Sequence, residues 1–149
     1  MKTVLAALLF AASAAAGADA SAPVAVQGAW ARPIVPGQDS TGAYMTLTAR
    51  EPLTLVGAES PAAGIVEIHE MQMVGDVMKM RAAETLPLAP GKPLVLKPNG
   101  FHFMLMDLKA PFKAGSEIRI TLRLRDARGA EQKLPVTVPV AAGGPPAHR

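Results

Sequence analysis

The sequence predicts an all-β protein, folded as a single-domain sandwich or barrel. Fourteen prolines and thirteen glycines are spread along its 149 residues and interrupt helical periodicity throughout. Short β-rich runs recur between turn signals instead, the pattern of a sandwich or barrel. One of these runs, EIRITLRLR at 117–125, alternates cleanly. Ile118, Ile120, Leu122 and Leu124 share one face; Glu117, Arg119, Thr121, Arg123 and Arg125 share the other. That is a strand with one side on a core and one in water.

Taken in order, residues 1–20 (MKTVLAALLFAASAAAGADA) read as an export signal. Lys2 precedes an apolar run from Val4 to about Ala18, and Ala18-Asp19-Ala20 supplies the small-residue pattern for cleavage near Ala20/Ser21. The run is too short and alanine-rich for a membrane span, which needs about 20 strongly apolar residues. No later segment reaches that length uninterrupted, so no membrane span is expected after signal removal. Strands are predicted near 24–31, 43–48, 53–58, 65–73, 77–83, 93–97, 101–108, 117–125 and 132–138. Between them sit Pro36-Gly37, Gly75-Asp76, Pro90-Gly91, Pro98-Asn99-Gly100 and Arg128-Gly129, each a turn signal. The Pro/Gly-rich end, 140–149, reads as a flexible tail, and no repeat or second domain is visible.

Composition removes several classes of function. The net charge is +3, without a Lys/Arg cluster, so no nucleic-acid partner is expected. There is no cysteine. That excludes disulfides, iron–sulfur clusters, blue copper and cysteine nucleophiles together. No motif joins a nucleophile to a histidine, so no enzyme is expected.

What remains is a histidine–methionine constellation. EIHEMQM at 67–73 and FHFMLMDL at 101–108 each place a histidine and two methionines at alternate positions: His69, Met71, Met73 and His102, Met104, Met106. A tight turn at Gly75-Asp76 would set Met73 opposite Met78 and Met71 opposite Met80, with His69 diagonal to Met80. Beyond the leader the chain has seven methionines (eight less Met1), and six lie between positions 71 and 106. Two readings follow. Methionine stripes often fill cores; equally, thioether and imidazole together suit Cu(I) and hold Zn²⁺, Mg²⁺ or Ca²⁺ badly. Packing gives no reason to pair imidazole with sulfur twice.

IHEMQMVGDVMKMR and KPNGFHFMLMDL resemble the periplasmic copper chaperones of the PCu(A)C (DUF461) family. Its motif is His or Met, ten residues, Met, twenty-one residues, then His-x-Met. His69, Met80, His102 and Met104 stand at those positions. AWARP at 29–33 and GAYMTLT at 42–48 are similar to the family's first strand and its A-Y-M-T segment, so the resemblance covers most of residues 21–139. It implies a cupredoxin-like Greek-key β-barrel or sandwich, with one Cu(I) held by His69, Met80, His102 and Met104. It implies delivery toward the Cu(A) centre of cytochrome c oxidase, received by subunit II or by another periplasmic copper chaperone, with the protein a monomer in the periplasm. Copper buffering or resistance is the alternative on the same site, and a non-metal β-sandwich adaptor the alternative without one. Two departures stand out. The tail offers only His148, which argues against a second copper, and Asp107 occupies a place where glycine is usual. Met71, Met73, Met78 and Met106 fall outside the motif, as packing or as a soft surround.

Overall fold

The computed structural model describes residues 22–144. The expected signal segment and His148 lie outside the described residues. Within them the regular elements are ten strands: β1 (Val24–Ala31), β2 (Ser40–Ala49), β3 (Leu53–Glu59), β4 (Ala63–Val74), β5 (Val77–Ala83), β6 (Leu86–Leu88), β7 (Leu94–Leu96), β8 (Phe101–Leu108), β9 (Glu117–Asp126) and β10 (Glu131–Pro139). Among the described residues no helix is long and apolar enough to cross a membrane.

The strands form two antiparallel sheets. The larger runs β1-β2-β8-β4-β5, with β7 beside the second half of β2; the smaller runs β10-β9-β3-β6. One parallel bridge, Ala31 to Val140, links their edges. The ladders thus build a sandwich and do not close into a single barrel. Val140 is buried, and the Ala141 N–H donates to the Ala31 carbonyl, so the packed chain continues just past β10.

The core is the interdigitation of the two inner faces. In β9 the alternation holds throughout: Ile118, Ile120, Leu122 and Leu124 are buried. Facing them from the larger sheet are Ala43, Met45 and Leu47 of β2 and Phe103 and Leu105 of β8. Each large apolar side chain buried this way contributes about 1.5–3 kcal/mol, an upper figure because the unfolded chain is itself partly compact.

One strand escapes sequence reading. β6 is only Leu-Pro-Leu, too short for alternation and carrying a proline that argues against a strand. It lies at the edge of the smaller sheet against Leu53–Leu55, where a missing N–H costs no ladder bond. Leu86 and Leu88 reach the core on either side of exposed Pro87.

The β4–β5 hairpin follows the predicted register. Val74 pairs with Val77 across Gly75-Asp76, Met73 with Met78, and Met71 with Met80. Gly75 has φ +64° while Asp76 keeps a negative φ. This glycine-first arrangement is the type II′ turn, which matches the twist of the flanking strands.

Candidate metal centre

The site lies on the outer face of the larger sheet. Strand parity assigns it. In β8, Phe103 and Leu105 point into the core, so His102, Met104 and Met106 point out. β4 lies beside β8, with His69 opposite His102 and Glu67 opposite Met104. β5 flanks β4 on its far side, bringing Met80 opposite Met71. On the near side, β2 sets Gly42 opposite Met104 and Ser40 opposite Met106. The result is a cleft of about 360 Å³ whose lining includes Met71, Met80, His102 and Met104. Three of the four predicted residues therefore line one cleft, and the fourth, His69, stands at its edge with its ring centroid 6.0 Å from that of His102. Met71, which the spacing motif leaves out, lines the cleft as well.

The methionines divide by environment. Met45, the only one of the seven outside the 71–106 window, is in the core. None of the other six belongs to it: Met71, Met104 and Met106 are half-buried, while Met73, Met78 and Met80 are 61%, 42% and 46% exposed. The reading of this stripe as core packing is thereby set aside.

The two histidines are held differently. His102 is 4% exposed, and its Nδ1 lies 3.1 Å from the Gly100 carbonyl. A carbonyl only accepts, so Nδ1–H donates and Nε2 keeps its lone pair. The turn before β8 places that carbonyl: the Gly100 N–H donates to Lys97, the Lys97 N–H to Phe101, and the Met71 N–H to the same Gly100 oxygen. His69 Nε2 lies 2.8 Å from the Glu67 carboxylate, one step back on the same face. The carboxylate accepts, so His69 carries its proton at Nε2 and its lone pair at Nδ1. That Nδ1 is buried and has no hydrogen-bond partner. An orphaned buried acceptor is costly; one held by an oxygen at its other nitrogen is the usual state of a metal-ligating imidazole. The donor set present therefore fits a soft metal ion. Among the described residues, no three His, Cys, Asp or Glu side chains gather to hold one by themselves, so a metal here depends on the thioethers.

Burial holds the His102 pKa below the usual histidine value. The Gly100 carbonyl opposes this, and the charges of His69 and Arg32 add to the lowering. A neutral ring is the form that can ligate. Aromatic rings continue across the sheet from His102. Tyr44 lies 6.1 Å from it, Trp30 lies 4.6 Å from Tyr44, and the Arg32 guanidinium sits 5.6 Å from the Tyr44 ring centre. Burial raises the Tyr44 pKa, partly offset by Arg32. The register break in β1 between Gln27 and Trp30 brings Trp30 opposite Tyr44. Gly42 leaves room beside this row: a Cβ there would run into the Tyr44 hydroxyl, and the ring would have to shift.

Glu67 carries no motif signal, and Arg32 only its place in AWARP. Alternation alone would have placed Glu67 on the face of His69, two residues away. Asp107 lies outside the cleft lining, ion-paired to Lys109 at 2.9 Å. Its φ of +52° lies in the left-handed region, which favours glycine over a side-chain-bearing residue.

Residues 24–140 match the family described as "Putative lipoprotein LpqE-like". The chain belongs to the LpqE-like, PCuAC/DUF461 family. It is 35% identical over 118 residues to "Putative lipoprotein Lxx21020" of Leifsonia xyli subsp. xyli, covering 78% of this chain and 69% of that one. Among solved structures, apo-DR1885 from Deinococcus radiodurans is 32% identical, with a TM-score of 0.57 and 94% of each chain covered. Its Cu(I) form is 36% identical, with a TM-score of 0.58 over 85% of this chain and 83% of that one. The copper-bound PCuAC domain of PmoF2, 20% identical with a TM-score of 0.62, covers 81% of this chain and 94% of its own and shares the fold. The fold is that of PCuAC copper-chaperone domains.

Proposed function

We propose that this protein is an exported metallochaperone that binds one Cu(I) through His69, Met80, His102 and Met104 and passes it on by ligand exchange. One observation carries the reading. Six methionines outside the core share a face with two imidazoles, and an oxygen fixes one ring nitrogen of each. DR1885, a third identical, exists in a Cu(I) form, which supports the choice of ion.

Neutral imidazole and thioether ligands match a monovalent soft cation without an excess anionic field. Because thioethers are weak ligands, an incoming thiolate or imidazole displaces them one at a time through the open side of the cleft. Copper stays Cu(I) throughout, so no electron moves; an acceptor thiol that ligates the ion releases its proton to solvent. This is the chemistry of a carrier, and we infer no catalytic role. The receiving protein is a copper-poor site outside the cytoplasm, with the Cu(A)-bearing subunit II of cytochrome c oxidase or another periplasmic chaperone as the proposed acceptor. The expected export signal at 1–20 and the lipoprotein name of the Leifsonia relative support export, and the proposed location is the periplasm, with the protein working as a monomer.

The test is anaerobic transfer. The Cu(I)-loaded protein is mixed with an apo subunit II fragment, and copper in each is measured after separation. Stoichiometric transfer is expected. Retention by the donor would make the protein a buffer. Failure to load at all, or loading unchanged by His102→Ala with Met104→Ala, would leave the adaptor reading.

A further inference from the structure

The thioethers do not stop at the cleft. Met71 and Met80 line it, and the next facing pair, Met73 and Met78, sits one step nearer the hairpin tip on the same face. These tip residues are 61% and 42% exposed, and Met73 is the most exposed of the large apolar side chains described. Methionine at such a position buries little surface, and a polar or β-branched residue would suit an exposed strand better. What distinguishes Met73 and Met78 from other exposed residues is a sulfur atom, presented in pairs.

We infer that Met73 and Met78, together with Met71, form a second and weaker Cu(I) seat at the hairpin tip, through which the ion enters and leaves the cleft. Directly facing side chains have Cβ atoms about 4.5–5.5 Å apart, and Met71 stands about 6.6 Å along the strand from Met73 at about 3.3 Å per residue. A methionine side chain has three rotatable bonds and spans such gaps easily. Three neutral thioethers can therefore converge on one Cu(I). Without imidazole the seat is weaker than the cleft. Met71 lines the cleft opposite Met80 and also belongs to the tip seat, so the ion passes from the four cleft ligands onto Met71 by exchanging one ligand at a time, always at Cu(I) and never free in solution. Exposure rises from His102 at 4% to Met73 at 61%, which puts the imidazole end of the path inside the sheet and its thioether end at the hairpin tip, where a partner can reach it.

The inference rests on the cleft's being a Cu(I) site, and the test separates the two. The protein is labelled with ¹³C at its methionine methyl groups and titrated anaerobically with Cu(I) supplied as its acetonitrile complex. The first equivalent is expected to shift the Met80 and Met104 methyls, and a second to shift Met73 and Met78. The Met73→Leu, Met78→Leu double variant is expected to keep the first equivalent and lose the second. If Met80 and Met104 respond but Met73 and Met78 stay fixed to excess copper, the tip seat is overturned and the cleft stands. If the double variant still takes a second equivalent, the tip seat is again overturned. If Met80 and Met104 do not respond, the cleft reading fails and takes the tip seat with it.

Discussion

His69 and His102 face each other directly across the β4–β8 ladder, with ring centroids 6.0 Å apart. Each gives one ring nitrogen to a fixed oxygen, the Glu67 carboxylate for His69 and the Gly100 carbonyl for His102. The remaining nitrogens are left as acceptors, and that of His69 is buried without a partner. The pair is oriented before any ion arrives, which removes an ordering cost from binding.

The Glu67 contact is accordingly part of the binding site, although Glu67 need not touch the metal. Replacing such an orienting carboxylate typically lowers metal affinity about 10–100-fold. We expect Glu67→Ala to weaken Cu(I) binding by that order in competition with a chromophoric chelator. Glu67→Gln keeps an oxygen that accepts from Nε2–H, and should lose clearly less.

The buried His102 gives stability a defined pH dependence. Its folded-state pKa lies below the ordinary value of 6.5. Above that value the ring is neutral folded or unfolded, and it adds no slope. As pH falls below it, the unfolded chain binds the proton first, so stability decreases until the lower folded-state pKa is passed. Urea midpoints of the apo protein should drop from pH 8 to pH 5.5, and His102→Gln should flatten the slope. Bound Cu(I) should oppose the drop, since it holds the ring deprotonated.

The two faces of β8 should separate stability from binding. Phe103 is fully buried, so Phe103→Ala should cost about 3–5 kcal/mol, read by denaturant unfolding. Copper stoichiometry of the fraction still folded should not change. Met104→Leu conserves volume and should cost less than about 1.5 kcal/mol, yet it removes a sulfur and should weaken Cu(I) binding markedly. Equal effects of the two changes on both measurements would contradict the assignment of faces.

Much of this arrangement was legible in the residues. Period-two alternation assigned the faces of β8 and β9, and the glycine-led turn at 75–76 fixed the Met71–Met80 and Met73–Met78 pairs. Local signals could not reach further. Leu86-Pro87-Leu88 carries no periodicity, and its strand exists only because β3 is there to pair with. That His69 would sit opposite His102, or that Met71 would line the cleft, depends on β4 lying beside β8, a pairing between segments more than thirty residues apart. The aromatic row from Trp30 through Tyr44 to His102 likewise crosses β1, β2 and β8, and depends on a register break in β1 that no turn signal marks. Whether the sheets would form a sandwich or close into a barrel was equally beyond alternation, which looks the same in both.

The most direct test of the copper site is X-ray absorption at the copper K-edge of the protein carrying one equivalent of Cu(I). The proposed ligands predict a Cu(I) edge and a mixed shell, with imidazole nitrogen from His69 and His102 and thioether sulfur from Met80 and Met104. The sulfur contribution should fall in Met104→Leu, and the imidazole scattering in His102→Ala. A shell of nitrogen and oxygen without sulfur, or one unchanged by both substitutions, would contradict the site.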